Sequence, residues 1–131
     1  MLNYFLSVTM LIGLCMLPLI SQNFIQIPKD YPTIQQGLNA ATSNTTILVS
    51  PGIYYENLIW PSQLDGIKLL GIKGSKETII DGNEKGRVIQ MDSPIGKGGS
   101  QEITVATEIQ GFTIQHGKIF DLNGAGLSCE Y

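Results

Sequence analysis

Three aromatic side chains, Tyr54, Tyr55 and Trp60, lie within seven positions of one another. Their flat apolar faces could stack on the CH faces of sugar rings, which makes them candidates for carbohydrate binding. They could equally pack beneath a chain bend. Trp60 is expected to be the more exposed, because Pro61-Ser62 follows it. Glu56, within Pro51-Gly52-Ile53-Tyr54-Tyr55-Glu56-Asn57, is the nearest acid, but general acid/base work needs a second acid or base, and none can be placed beside it. The motif reads as a turn instead. Pro sets φ, Gly relaxes the backbone, and Asn57 can satisfy backbone groups at the next bend.

Two further places could carry chemistry. Asp81, Asn83, Gly86 and Asp92 fall at positions 1, 3, 6 and 12 of a calcium loop. Lys85 sits where an oxygen ligand belongs and no helices flank the loop, so an ordinary turn with an Asp81–Arg87 surface pair is expected. His116 is the only histidine. No carboxylate or Cys partner is identifiable from sequence, and a turn residue is the expectation. No catalytic residue, metal ligand or cofactor site is therefore assigned. Asn44-Thr45-Thr46 is an N-x-T sequon, usable only in a eukaryotic secretory pathway.

The elements that must position these residues are short. Runs of β-forming residues closed by Gly, Asn or Asp occur at 46–49, 68–72, 78–82, 87–91 and 111–115. Phe24–Ile27 reads as an opening strand, and further strands are expected around 57–60, 103–105, 109–114 and 125–129. Thr33-Ile34-Gln35-Gln36 has the form of a capping box, with Ile34, Leu38 and Ala41 at helical spacing. A short helix over 33–41 ahead of a strand series is placed to cap a stack. Val49 to Leu70 spans 21 positions and Met91 to Ile114 spans 23, each matching a repeat of about 20–25 residues. Ile114 to Leu127 is only 13, which assigns Leu127 to another face.

Composition agrees with a folded, all-β chain of 131 residues. Hydrophobic content is 43%, charged content 15%, and there are 15 glycines. The net charge is −3 and the basic residues are scattered, which argues against nucleic-acid binding. Phe5 to Ile20 is almost wholly apolar and no charged side chain precedes Lys29. Residues 1–21 read as a secretory signal peptide, the apolar run being shorter than the roughly 20 residues a spanning helix needs. Ser21 suits the cleavage position, although the segment lacks Lys or Arg. An uncleaved anchor is the alternative. Either way residues 22–131 lie outside the cytoplasm: secreted, periplasmic or at the cell surface. Cys15 would leave with the leader, and Cys129 then stands alone as a small buried hydrophobe.

Four segments carry a family resemblance. They are Tyr31 to Ala41, Ile47 to Asn57, Thr78 to Asn83 and Ile109 to Gly117. In order and spacing they resemble the start of a right-handed parallel β-helix of the pectin-lyase-like superfamily. The resemblance implies a solenoid with a short N-terminal capping helix, truncated at the C-terminus, where an open edge would need downstream coils or self-association. It also implies a secreted or surface repeat protein that binds a polysaccharide or cell-surface glycan without catalysis of its own. The alternative is the leading part of a pectin methylesterase-like or pectate lyase-like enzyme. Those families' catalytic residues would fall beyond Tyr131, and Gly124-Ala125-Gly126-Leu127 lacks the esterases' oxyanion-stabilising Gln.

Overall fold

The computed structural model describes residues 23–92, 106–118 and 127–130, with the backbone alone for 92 and 127–130. The leader at 1–21, Cys15, the expected strand at 103–105 and the burial of Cys129 lie outside the described residues.

The described chain is mostly β, with parallel sheets and one short helix. The elements in order are β1 Phe24–Ile27, α1 Ile34–Ala40, β2 Thr46–Val49, β3 Gly52–Tyr55, β4 Leu58–Ile59, β5 Lys68–Gly71, β6 Thr78–Asp81, β7 Ile89–Asp92, β8 Glu108–Gln110, β9 Thr113–Gln115 and β10 Leu127–Glu130. Three sheets result. The first has the order β1-β2-β5-β8, the second β3-β6-β9 and the third β4-β7-β10. Every pairing is parallel. Parallel partners cannot be joined by a hairpin and need a long connection, commonly a helix. Here the connection from β2 to β5 is itself β3 and β4, which serve the other two sheets. From β2 onward, successive strands visit the first, second and third sheets in rotation.

Side chains alternate across each strand, and one set points inward. Ile47 and Val49 of β2, Leu69 of β5, Ile80 of β6, Leu58 of β4 and Ile89 and Met91 of β7 are buried in one cluster with Ile34 and Leu38 of α1. Each such aliphatic side chain contributes about 1.5–3 kcal/mol on burial. Outward on the first sheet, register partners Lys68 and Glu108 form an exposed ion pair at 3.6 Å.

The register corrects several expectations. Leu70 partners Leu48, and Val49 partners Gly71, one position from the expected match. Met91 partners Cys129 in the third sheet, whereas Ile114 partners Ile80 in the second, so the Met91–Ile114 interval marks no register. Leu127 does fall on a different sheet from Ile114. Gly52–Tyr55, expected as a turn, is a strand. The run expected as one strand over 109–114 is two strands on different sheets, β8 and β9. Gly111 separates them at φ 81°, a left-handed conformation that favours glycine. A Cβ at Gly111 would sit 2.5 Å from the Gly71 carbonyl oxygen, and one at Gly71 would collide with the Gly111 carbonyl. The two bends leaving the first sheet therefore touch backbone to backbone.

Candidate functional site

The second sheet presents a mixed apolar and polar outer face. On β3, Ile53 is 54% and Tyr55 66% exposed, while Tyr54 between them is half-buried. Register aligns Ile53 with Ile79 and Thr113, and Tyr55 with Asp81 and Gln115. The Tyr54 hydroxyl donates to the Ser50 carbonyl at 2.9 Å. Burial, with the Glu56 charge adding, pushes its phenol above the ordinary range. Tyr54 is thus an anchored packing residue, and Tyr55 offers the open ring. Trp60 corrects the expectation of exposure. It is 4% exposed and belongs to the core. Its backbone N–H donates to the Gln90 carbonyl at 2.8 Å, extending the β4–β7 ladder, so Leu58 and Trp60 share the inward face while Ile59 points out. Trp60 has no free face to stack on a sugar.

Asp81 and His116 form a pair that lies 35 positions apart in sequence. Asp81 ends β6 and His116 follows β9. The His116 Nδ1 lies 2.8 Å from Asp81 Oδ2, the Gln115 Nε2 donates to the same oxygen at 2.9 Å, and the Asn83 N–H donates to Oδ1 at 2.8 Å. Asp81 is 5% exposed. The Gln115 bond, then the Asn83 and His116 bonds, hold its carboxyl below the usual carboxylate range. The carboxylate is held by these groups rather than by Arg87. His116 itself is left-handed at φ 52°, and its carbonyl accepts the Glu84 N–H at 2.8 Å. Gly82 lets these segments meet, since a Cβ there would lie 2.9 Å from that carbonyl.

Glu56 and Asn57 have structural partners. Glu56 Oε1 and Oε2 accept the N–H groups of Ile34 and Gln35, each at 2.9 Å. Those are first-turn donors of α1 with no partner inside the helix. Thr33 accepts from the Gln36 N–H at 3.2 Å, as the capping motif implies. Gln35 in turn grips the free edge of β4: Ile59 N–H donates to its Oε1 at 2.8 Å, and its Nε2 donates to the Ile59 carbonyl at 3.1 Å. Asn57 Nδ2 donates to the carbonyls of Gly82 at 3.3 Å and Arg87 at 2.9 Å, the bend-satisfying role expected of it.

Among the described residues no group of three or more His, Cys, Asp or Glu side chains converges as a metal site. Asp81 spends both oxygens on protein donors, and the side chain of Asp92 lies outside the described residues. Asn44 of the sequon is exposed in a left-handed turn. What remains with chemistry to offer is the outer end of the second sheet, where Tyr55 shares a row with Asp81 and Gln115, next to His116. The meeting of Asp81 and His116, set by the register of β6 on β9, had no signal in the sequence.

No helix among the described residues is long and apolar enough to cross a membrane. Comparison with protein-family models, with curated proteins and with solved structures returned no match.

Proposed function

We propose that residues 22–131 are the capped opening of a right-handed parallel β-helix, exported behind the leader at 1–21, that binds a carbohydrate polymer on the outer face of its second sheet. The rotation of parallel strands through three sheets supports the β-helix reading. Right-handed crossover between parallel strands is the general rule and supplies the hand. Gln35 closing the edge of β4 supports α1 as the cap.

The observation that carries the binding reading is Tyr55. A large aromatic ring at 66% exposure, beside exposed Ile53 and in the register row of half-buried Gln115, sets an apolar platform beside a fixed polar group. Strands lie about 5 Å apart, so the row from Tyr55 to Gln115 spans about 10 Å, enough to follow a short oligosaccharide. Polymer repeats along such a row would find the same spacing on each added strand.

Affinity electrophoresis of the full chain through gels carrying glucan, mannan, xylan or pectin tests this. Retardation by at least one polymer is expected, with Tyr55→Ala at least tenfold weaker, about 1.4 kcal/mol. Trp60 fluorescence checks that the variant remains folded. Free migration in every polymer, or undiminished retardation of Tyr55→Ala, would overturn the proposal.

A further inference from the structure

The geometry points to His116 as the polar half of this face: its Nε2 accepts a hydroxyl hydrogen from a neutral sugar seated on Tyr55. The inference rests on the glycan-binding reading above. An ionised carboxylate only accepts hydrogen bonds, so the 2.8 Å contact with Asp81 places the proton of the neutral ring on Nδ1. Nε2 then carries a lone pair. It has no partner among the described residues, and the side chain is 57% exposed. Asp81 is fixed by Gln115 and Asn83, and the His116 carbonyl is fixed by Glu84, so the ring is held from both sides. This is the way a carboxylate selects one tautomer and aims an imidazole in working sites. His116 directly follows Gln115, which lies in the register row of Tyr55 two strands away, about 10 Å at strand spacing, so the acceptor is within reach of a sugar chain of two or more units seated on Tyr55.

A lone pair discriminates between sugars. Hydroxyl groups can donate to it, and a uronate carboxylate cannot. Neutral polymers are therefore preferred while the ring is neutral. A protonated ring carries a hydrogen on Nε2 instead, which donates and admits a carboxylate. The other charges around His116 are Asp81 on β6, then Glu84, Lys85 and Arg87 in the loop after it, Lys118 on its own segment, and Glu56 after β3, already bound to α1. Asp81, its carboxyl held below the usual carboxylate range, stays an ionised acceptor for the Nδ1–H.

Long-range 1H–15N NMR of the full chain tests this directly, because a single histidine makes assignment unambiguous. The probes are hexamers of glucose, mannose, xylose and galacturonic acid. At pH 8 the free ring is expected as the Nδ1–H tautomer, and at least one neutral hexamer moves the Nε2 resonance and binds tighter than the galacturonate hexamer. His116→Asn, a residue that tolerates the left-handed backbone, binds the neutral hexamer about fivefold more weakly and loses most of the margin over the galacturonate hexamer. An Nε2–H tautomer at pH 8 overturns the inference. So does an unmoved Nε2 resonance while a neutral hexamer binds in a Tyr55-dependent way, an outcome that leaves the broader binding reading standing. Absence of binding by any hexamer or polymer removes both.

Discussion

Replacing Glu56 with Ala removes a clasp that fastens α1 to the segment after β3. Its carboxylate accepts two N–H groups of α1 at 2.9 Å each. Both donors sit in the first helical turn, where no intrahelical acceptor exists. Losing a capping acceptor costs about 1 kcal/mol, and leaving a partly buried donor unpaired costs about 1–3 kcal/mol. Water reaches this half-buried site and recovers part of that, so about 2–3 kcal/mol is the expected loss for Glu56→Ala. Glu56→Gln keeps one acceptor oxygen and loses the charge, for about 1–2 kcal/mol. The assay is urea unfolding followed by Trp60, the single tryptophan, which is buried one residue beyond the edge that Gln35 grips. The same loss lowers the melting midpoint by about 10 °C or more. Thr33→Ala, which removes only the local cap, is the comparison at about 1 kcal/mol. If Glu56→Ala unfolds within about 0.5 kcal/mol of the parent, or costs less than Thr33→Ala, the reasoning about the clasp is wrong.

Two further outcomes are expected. Gly71→Ala drives a Cβ into the Gly111 carbonyl, backbone that cannot swing aside, and should cost about 3 kcal/mol or more; Gly74→Ala, in open space at φ 83°, should cost only about 1–2 kcal/mol of backbone strain, and paired thermal melts compare them. Asp81 has a folded-state pKa below its unfolded value, so its contribution is complete above about pH 4 and is lost as pH falls through the lower folded value. Melts between pH 2 and 6 should show a steeper acid decline for the parent than for Asp81→Asn, and parallel curves would contradict the assignment.

The strand runs at 24–27, 46–49, 68–71 and 78–81 were legible because short runs of β-branched and apolar residues sit between clear breakers. β3 was not, because Pro51-Gly52 carries the signature of a turn, and the strand begins at the glycine itself. The bend at Gly111 was hidden by the apolar Ile109 and Phe112 on either side, so two strands read as one run. The orientation of Trp60 depended on which face of β4 turns inward, and a two-residue strand has too little alternation to say. Asp81 and His116 each looked like an isolated turn residue. Their meeting depends on the register between β6 and β9, which no local pattern encodes. Glu56 was legible as structural, but its partner was not, since the helix it caps lies 22 positions earlier.

That separation bears on the order in which the molecule is made. A helix of seven residues is too short to persist alone in water. As the chain emerges during synthesis, residues 34–40 appear well before Glu56 and Ile59, the two positions that hold them. The helix therefore cannot lock until β3 and β4 have been laid down. Near the start of the described chain, it settles only after strands that follow it, and hydrogen exchange would find it among the earlier to open.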